Sequence, residues 1–176
     1  MRTKLLLICL AMFALLDSAR GDASREYQVK AAMICNVMQF VEWPAGTFDS
    51  DSTPLVVTVV GDNPFGTTLD QIAANKKIGG RNIVVKYAAD ADKVEKSQVL
   101  FVPDSENANI NRILEKAGGK GTLTIGEGDN FPWAGGIMRF YTEDGKLRFE
   151  INLDATEKAE LKLSSKLLKL ARIFKR

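Results

Sequence analysis

The sequence has no histidine in its 176 residues and only two cysteines. Without histidine, the chain cannot form a serine–histidine triad, use a histidine general base or bind a metal through imidazole. Cys9 lies in the N-terminal segment described next, which leaves Cys35 without an internal disulfide partner. Because Cys35 lies in an apolar stretch of helical spacing, we expect a buried, inert thiol. The sequence therefore shows no recognisable catalytic site, and we expect no cofactor and no bound metal.

The N-terminus has the pattern of a bacterial export signal. Two basic residues precede an unbroken apolar run from Leu5 to Leu16, which is too short to span a bilayer because a spanning helix needs about 20 residues. Small residues at Ala19 and Gly21 fit the preference of signal peptidase, so we place the cleavage after Gly21, with cleavage after Ala23 as the alternative. We therefore predict a cleavable signal peptide over residues 1–21 and a periplasmic location.

The rest of the chain is close to neutral. Residues 1–21 contain three of the 24 basic residues and one of the 22 acidic ones, so 21 of each remain. A neutral domain is a poor nucleic-acid binder, because affinity for nucleic acid comes largely from contacts with phosphates. No later segment is apolar enough to cross a membrane. We therefore expect no nucleic-acid partner and no direct membrane insertion.

The middle of the chain alternates predicted strands with predicted helices. The β-branched run from Leu55 to Val60 is typical of a strand buried on both faces of a parallel sheet. Further strands are predicted at residues 83–87, 99–102 and 122–125. Two more, at residues 137–142 and 147–153, are joined by a short link containing Asp-Gly, which favours a hairpin.

This order predicts a single α/β domain over residues 22–176. We expect a largely parallel mixed sheet of about six strands, with helices on both faces and a C-terminal antiparallel hairpin at one edge. The helix after the third strand is predicted to begin with a cap at Asp104 or Ser105.

Helical spacing is also present at both ends of this region. Apolar residues three and four apart predict an amphipathic helix over residues 24–42, ended by Trp43-Pro44. The same spacing predicts a helix from Asp154 to Phe174, with Glu157 completing a capping-box-like pair. Lysines alternate with leucines in this segment. It could lie on a membrane surface or pack its leucines on the sheet, and we favour packing.

The loop from Gly61 to Gly66 follows the first strand and opens a helix. Ligands of open α/β sheets bind at the carboxyl ends of the strands, and helix starts attract anions. The candidate ligand-binding residues are Gly61, Asp62, Asn63 and Gly66. The spacing matches neither a P-loop nor a dinucleotide-binding fingerprint, so we favour a structural turn.

Other motifs leave alternatives open. Asp104 and Glu106 could act as paired carboxylates, although a helix cap explains them as well. A hydrolase that uses carboxylates alone, such as Asp62 with Glu106 or Asp129, is a further alternative. The loop Phe131-Pro132-Trp133 either tucks its rings into the core or presents them to a partner, and the sequence favours neither.

Several short motifs, taken in order, resemble the YfiR family of periplasmic proteins. They are Tyr27-x-Val29-Lys30-Ala31-Ala32, Phe40-Val41-Glu42-Trp43-Pro44, Gly61 to Gly66, Gly80-Arg81-x-Ile83, Val99 to Val102 with Ser105-Glu106, Leu123 to Gly126, Gly135-Gly136-Ile137, Arg148 to Asn152 and Leu163 to Ala171. Each motif alone is weak, but the ordered set is specific and covers nearly the whole chain beyond the signal.

The resemblance implies a non-enzymatic regulator. YfiR-like proteins repress an inner-membrane diguanylate cyclase through its periplasmic sensor domain, and an outer-membrane OmpA-like lipoprotein sequesters them. They thereby control cyclic-di-GMP and biofilm formation, and they are associated with dimers and redox-sensitive disulfides. Here the segment Lys96-Ser97-Gln98 lacks the cysteine that relatives often place before the third strand, so disulfide control of folding looks unavailable.

A regulator of a sensor domain needs an exposed patch with aromatic or aliphatic anchors. The candidate partner-binding residues are Phe131, Pro132, Trp133 and Ile137. The alternative function is a periplasmic small-molecule-binding domain, like one lobe of a solute-binding protein, because the alternating β-α order permits a pocket near the Gly61–Gly66 loop.

Overall fold

The structure is a computed structural model that describes residues 25–175. The predicted signal peptide and both cleavage positions lie outside the described residues. Within residues 25–175, no helix is long and apolar enough to cross a membrane.

Helices and strands alternate along most of the chain. The helices are α1 (residues 25–37), α2 (Thr68–Ala74), α3 (Ile110–Ala117), α4 (Leu153–Lys158) and α5 (Ser165–Leu168), with 3-10 turns at Met38–Phe40, Ala91–Lys93 and Asp104–Asn109. The strands are β1 (Val41–Glu42), β2 (Leu55–Val60), β3 (Lys77–Ile78), β4 (Arg81–Ala88), β5 (Val99–Val102), β6 (Leu123–Gly126), β7 (Met138–Glu143), β8 (Lys146–Asn152), β9 (Lys162–Leu163) and β10 (Arg172–Phe174).

Eight of these strands form one mixed sheet in the order β10-β8-β7-β6-β5-β2-β4-β3. Its centre, β4-β2-β5-β6-β7, is parallel throughout, as the β-branched strands predict. At one end β3 joins β4 antiparallel, and at the other β8 joins β7 antiparallel. The predicted fold class, a largely parallel α/β sheet with a C-terminal antiparallel pair, is confirmed.

The core has two layers, one on each face of the sheet. Along β5, Val99 and Phe101 face a large cluster that includes α1, while Leu100 and Val102 face a smaller one that includes α3. Cys35 is a completely buried free thiol in the first cluster, as expected, and burial raises its pKa to about 11.

The hairpin between β7 and β8 forms where the Asp-Gly signal predicts it. Asp144 and Gly145 both have positive φ, at 51° and 67°, which is the requirement of a two-residue turn matched to the strand twist. The hairpin is not at the sheet edge, however, because β10 pairs parallel with β8.

The predicted C-terminal helix from Asp154 to Phe174 is wrong. The segment instead forms two short helices and two short strands, α4, β9, α5 and β10. The side chain of Asn152, rather than Asp154, caps α4 by accepting a hydrogen bond from the Ala155 N–H. Glu160 then adopts a φ of 55°, in the left-handed region that ends helices, and the chain turns away to pair with distant strands.

Two other helix boundaries differ from the prediction. Helix α1 ends at residue 37 rather than 42, because Val41 and Glu42 pair antiparallel with β9. Neither Asp104 nor Ser105 caps α3. They belong to the 3-10 turn Asp104–Asn109, and no side chain caps that turn or α3.

Candidate functional site

The predicted ligand loop is a self-contained turn. Asn63 accepts a hydrogen bond from the Phe65 N–H (2.9 Å) and donates one to the Gly66 carbonyl (2.8 Å). Phe65 is buried and packs on Tyr27 and Phe101, with ring centroids 5.5 and 4.8 Å away. These contacts give the loop a structural role, and ligand binding by Gly61, Asp62, Asn63 and Gly66 stays a prediction.

The crevice beside that loop is narrow. It lies at the carboxyl ends of β2 and β5, where the strand order of the parallel sheet reverses and α/β proteins commonly bind ligands. Gly61 has a φ of 75°, and a side chain at this position would overlap the carboxyl group of Glu106. Glu106 thus occupies the space that a ligand would need next to Gly61.

A larger polar cleft, of about 600 Å³, opens along the same edge of the sheet. The side chains that line it come from α1, from the segments after β5 and β6, and from β7: Glu26, Tyr27, Lys30, Asp104, Asn107, Glu127, Asp129, Arg139, Phe140, Tyr141 and Thr142. Sequence reasoning missed this cleft because its residues are spread over more than 100 positions with no common motif.

Glu127 lies at the centre of a buried hydrogen-bond network in this cleft. It accepts hydrogen bonds from the Tyr27 hydroxyl (3.2 Å) and the Asp104 N–H (2.9 Å), and it forms an ion pair with Lys30. Both members of that pair are almost fully buried, and Lys30 also pairs with Glu26. Burial and then the Glu127 charge raise the pKa of Tyr27, so the phenol stays protonated. The network fastens α1 to the carboxyl edge of the sheet.

A second charged cluster crosses β7, β8 and β10. Arg139 donates through Nε to Glu150 (2.6 Å) and also pairs with Asp129. Arg172 donates through Nε to the other oxygen of Glu150 (3.2 Å). The side chains of Arg139 and Glu150 are only 10% and 9% exposed, so Glu150 is a buried anion held between two guanidinium groups.

The same face presents aromatic rings beside these arginines. The Tyr141 ring has the guanidinium carbons of Arg139 and Arg172 at 5.4 and 4.0 Å, within the range of cation–π attraction. Arg148 lies opposite Tyr141 in the register and is exposed. The other side of the hairpin, with Phe140 and Phe149, packs into the core.

The predicted partner-binding loop borders this face, but most of it is buried. Phe131 is completely buried, and Pro132 and Ile137 are also interior. Phe131 fills the space that side chains at Gly126 and Gly136 would occupy. These three residues therefore do not belong to an exposed patch, which corrects the expectation from the sequence.

Trp133 is the exception, with 56% of its surface exposed. Its ring packs edge-on against Phe174, with centroids 4.9 Å apart, and both residues line a small cavity of about 160 Å³. We call Trp133, Tyr141, Arg148, Arg172 and Phe174 the arginine–aromatic face. Sequence reasoning identified only Trp133, because the contacts of Arg172 and Phe174 require β10 where a helix was predicted.

Nothing in the described residues indicates a metal site, since no group of three or more Asp, Glu or Cys side chains within residues 25–175 is placed to bind an ion. Glu106 lies against Gly61, and Asp129 pairs with Arg139. Asp62, Glu106 and Asp129 do not together form such a group of three.

Comparisons with known proteins identify a family and a related fold. A model of the YfiR/HmsC-like family matches residues 27–172. A crystal structure of a conserved domain protein from Vibrio cholerae O1 biovar El Tor str. N16961 superposes with a TM-score of 0.55 at 15% identity. The match covers 85% of this chain and only 60% of that one, and at this low identity the likeness shows the fold alone. No curated protein sequence matches the chain.

Proposed function

Because the chain belongs to the YfiR/HmsC-like family, we propose that it is a periplasmic, non-enzymatic regulator that binds and represses the periplasmic sensor domain of an inner-membrane diguanylate cyclase. Such a regulator controls the cyclic-di-GMP level and, through it, biofilm formation. The family match supports the coarser statement, a periplasmic regulator of cyclic-di-GMP signalling, because it spans residues 27–172.

The arginine–aromatic face is the observation that best supports binding of a protein partner. Trp, Tyr and Arg are the residue types that contribute most to binding energy at protein interfaces, and all three lie together on this face. Arg172 is positioned in advance, because Glu150 and Tyr141 hold its guanidinium group in place. Preorganised side chains lose less entropy on binding, so this face fits a protein partner better than a flexible surface would.

The resemblance to YfiR-like proteins supports two further partners. We propose that an outer-membrane OmpA-like lipoprotein competes for the regulator and relieves repression, and that the protein forms a homodimer. Short strand β10 is at the edge of the sheet, where the backbone is available for pairing with another chain.

The test is capture of the cyclase from solubilised membranes by the tagged protein, together with cyclic-di-GMP measurement in a strain that lacks the gene. We expect the cyclase to co-purify and cyclic-di-GMP to rise in that strain. Trp133→Asp should weaken binding about 30-fold, the effect of losing a hot spot worth about 2 kcal/mol, with little change in melting temperature.

The matched control is Val29→Asp, which places the same charge on an apolar side chain that is 50% exposed on α1. We expect this control to bind normally. Failure to capture a cyclase, with unchanged cyclic-di-GMP, would exclude the proposed function. A large fall in the melting temperature of Trp133→Asp would instead show that Trp133 has a structural role.

The second candidate function is small-molecule binding, and the polar cleft around Glu127 favours it. Its volume lies in the usual range for small-ligand sites, and it lies at the carboxyl edge of the sheet. A screen of periplasmic metabolites for a rise in melting temperature tests this candidate. The rise should disappear in a variant of the cleft-lining Asn107, such as Asn107→Ala, and persist in a variant of the distant Asn75.

A further inference from the structure

The end of the chain forms a second positively charged surface that the proposed function does not use. Residues 161–176 contain six basic residues and no acidic one, whereas residues 22–160 contain 15 basic and 21 acidic residues. The charge of the chain is therefore strongly asymmetric. A short surface segment holds the positive excess, and the body of the protein is negative.

The local fold directs these lysines outward. In α5, Leu167 is buried and contacts the core, whereas Lys166 and Lys169 are exposed. Residues three and four apart share one side of a helical turn, so Lys166, Lys169 and Leu170 project together. Leu170 is 75% exposed. We call these three residues, with the exposed Lys162 and Lys175 of the same segment, the lysine surface.

The charges of the lysine surface are not neutralised by any other residue among those that the structure describes. Among residues 25–175, none of its four lysines takes part in an ion pair. By contrast, Arg172 in the same segment pairs with Glu143 and Glu150. Free ammonium groups on flexible stems remain available to an external anionic surface.

The chemistry of the lysine surface fits a membrane better than a protein. Lysine is depleted at protein interfaces, where Arg and aromatic residues are enriched. Lysines mixed with leucine are typical of segments that lie on anionic bilayers, where each basic residue near the headgroups contributes about 1 kcal/mol. The negative charge of residues 22–160 would turn the body of the protein away from such a bilayer.

We propose that the lysine surface binds anionic phospholipid headgroups and holds the protein on a membrane surface without insertion. The proposal is independent of the regulatory function, since it needs no cyclase. It adds a consequence to that function: a protein restricted to the membrane surface meets a membrane-bound partner at a higher effective concentration.

The test is co-sedimentation of the purified chain without residues 1–21, in one series with phosphatidylglycerol–phosphatidylcholine vesicles and in another with phosphatidylcholine alone. We expect binding to the anionic vesicles only. Lys166→Gln with Lys169→Gln should weaken that binding roughly 25-fold, about fivefold for each lysine. The control is Lys77→Gln with Lys93→Gln, which removes the same charge from two exposed lysines elsewhere, and it should bind almost normally.

Three outcomes would overturn the proposal. The first is equal binding to both kinds of vesicle or to neither. The second is an equal loss in the two double variants, which would mean that net charge rather than this surface decides binding. The third is normal vesicle binding by Lys166→Gln/Lys169→Gln together with weaker capture of the cyclase, which would assign the lysine surface to a protein partner. Circular dichroism should show that both variants fold like the parent.

Discussion

The arginine–aromatic face and the lysine surface are neighbouring parts of the same C-terminal region, yet they are built in opposite ways. On the face, the Arg172 guanidinium pairs with Glu143 and Glu150 and lies 4.0 Å from the Tyr141 ring. On the lysine surface, the ammonium groups have no ion-pair partner within residues 25–175, and the apolar Leu170 is open to solvent.

The two surfaces carry charge of the same sign but hold it in different ways. Arg side chains have a rigid, planar group that stacks on rings and binds carboxylates through two donors, whereas Lys is a mobile point charge. A fixed arrangement suits a partner of defined shape. A mobile one suits a fluid layer of headgroups. The two surfaces should therefore respond differently to substitution and to salt.

The largest loss of stability is expected for Glu150→Ala. Removing one member of a buried ion pair leaves the other charge without compensation, at a cost of about 3–5 kcal/mol. We expect about 3 kcal/mol, because Arg139 keeps its contact with Asp129. Urea unfolding followed by circular dichroism measures the loss.

The matched variant replaces Lys162, Lys166, Lys169 and Lys175 by Gln. These exposed lysines have no described ion-pair partner, so the free energy of unfolding should change by less than about 0.5 kcal/mol. A large loss of stability in this variant, or none in Glu150→Ala, would remove the distinction between the two surfaces.

Salt should weaken the binding of the lysine surface to vesicles far more than it changes the contribution of Glu150 to stability. The Debye length falls from about 10 Å at 0.1 M ionic strength to about 3 Å at 1 M. Binding of the lysine surface to anionic vesicles should therefore weaken at least about tenfold. The stability difference between the parent chain and Glu150→Ala should change little, because that pair is shielded from solvent. Vesicle binding that persists at high salt would point to apolar insertion instead.

The parallel core could be predicted from the sequence because its signals are local. Runs of mostly apolar residues such as Leu55–Val60 and Val99–Val102 form buried strands wherever they lie in the sheet. The Asp-Gly turn between β7 and β8 is also local, since two residues with positive φ are sufficient to reverse the chain.

The C-terminal segment could not be predicted in the same way. Its leucines have helical spacing, but Lys162–Leu163 pairs with β1 and Arg172–Phe174 pairs with β8, and these partners are distant in the sequence. Pairing across that distance overrides local helical preference. Short segments of mixed pattern are the ones for which periodicity gives the weakest guide.

The side-chain contacts of the candidate site could not be predicted either, because they depend on those long-range strand pairings. The contact between Arg139 and Glu150 requires the register of β7 on β8, and the contact of Arg172 with both Glu150 and Tyr141 requires β10. The sequence predicted both Trp133 and Phe131 as partner contacts, but only Trp133 is exposed, and Phe131 fills the core. An aromatic residue in a loop gives no indication of burial until the elements around it are known.

A smaller loss of stability is expected when arginine on the face is replaced by lysine, and none when lysine on the lysine surface is replaced by arginine. Arg172→Lys keeps the charge but loses the stacked contact with Tyr141 and the directed Nε donor to Glu150. We expect the free energy of unfolding to fall by about 0.5–1 kcal/mol. Lys169→Arg on the lysine surface should change neither stability nor vesicle binding. If the two exchanges have equal effects, the geometry of the guanidinium group is unimportant on the face.

The smallest change in stability is expected for Glu143→Gln. Glu143 lies 3.7 Å from Arg172, and both side chains are about half exposed. Exposed ion pairs contribute little, because solvent screens the attraction and two long side chains lose freedom. We expect the free energy of unfolding to change by less than about 0.5 kcal/mol by urea unfolding. Since Glu143 and Glu150 both contact Arg172 and differ mainly in burial, a loss near that of Glu150→Ala would mean that burial does not determine the strength of this network.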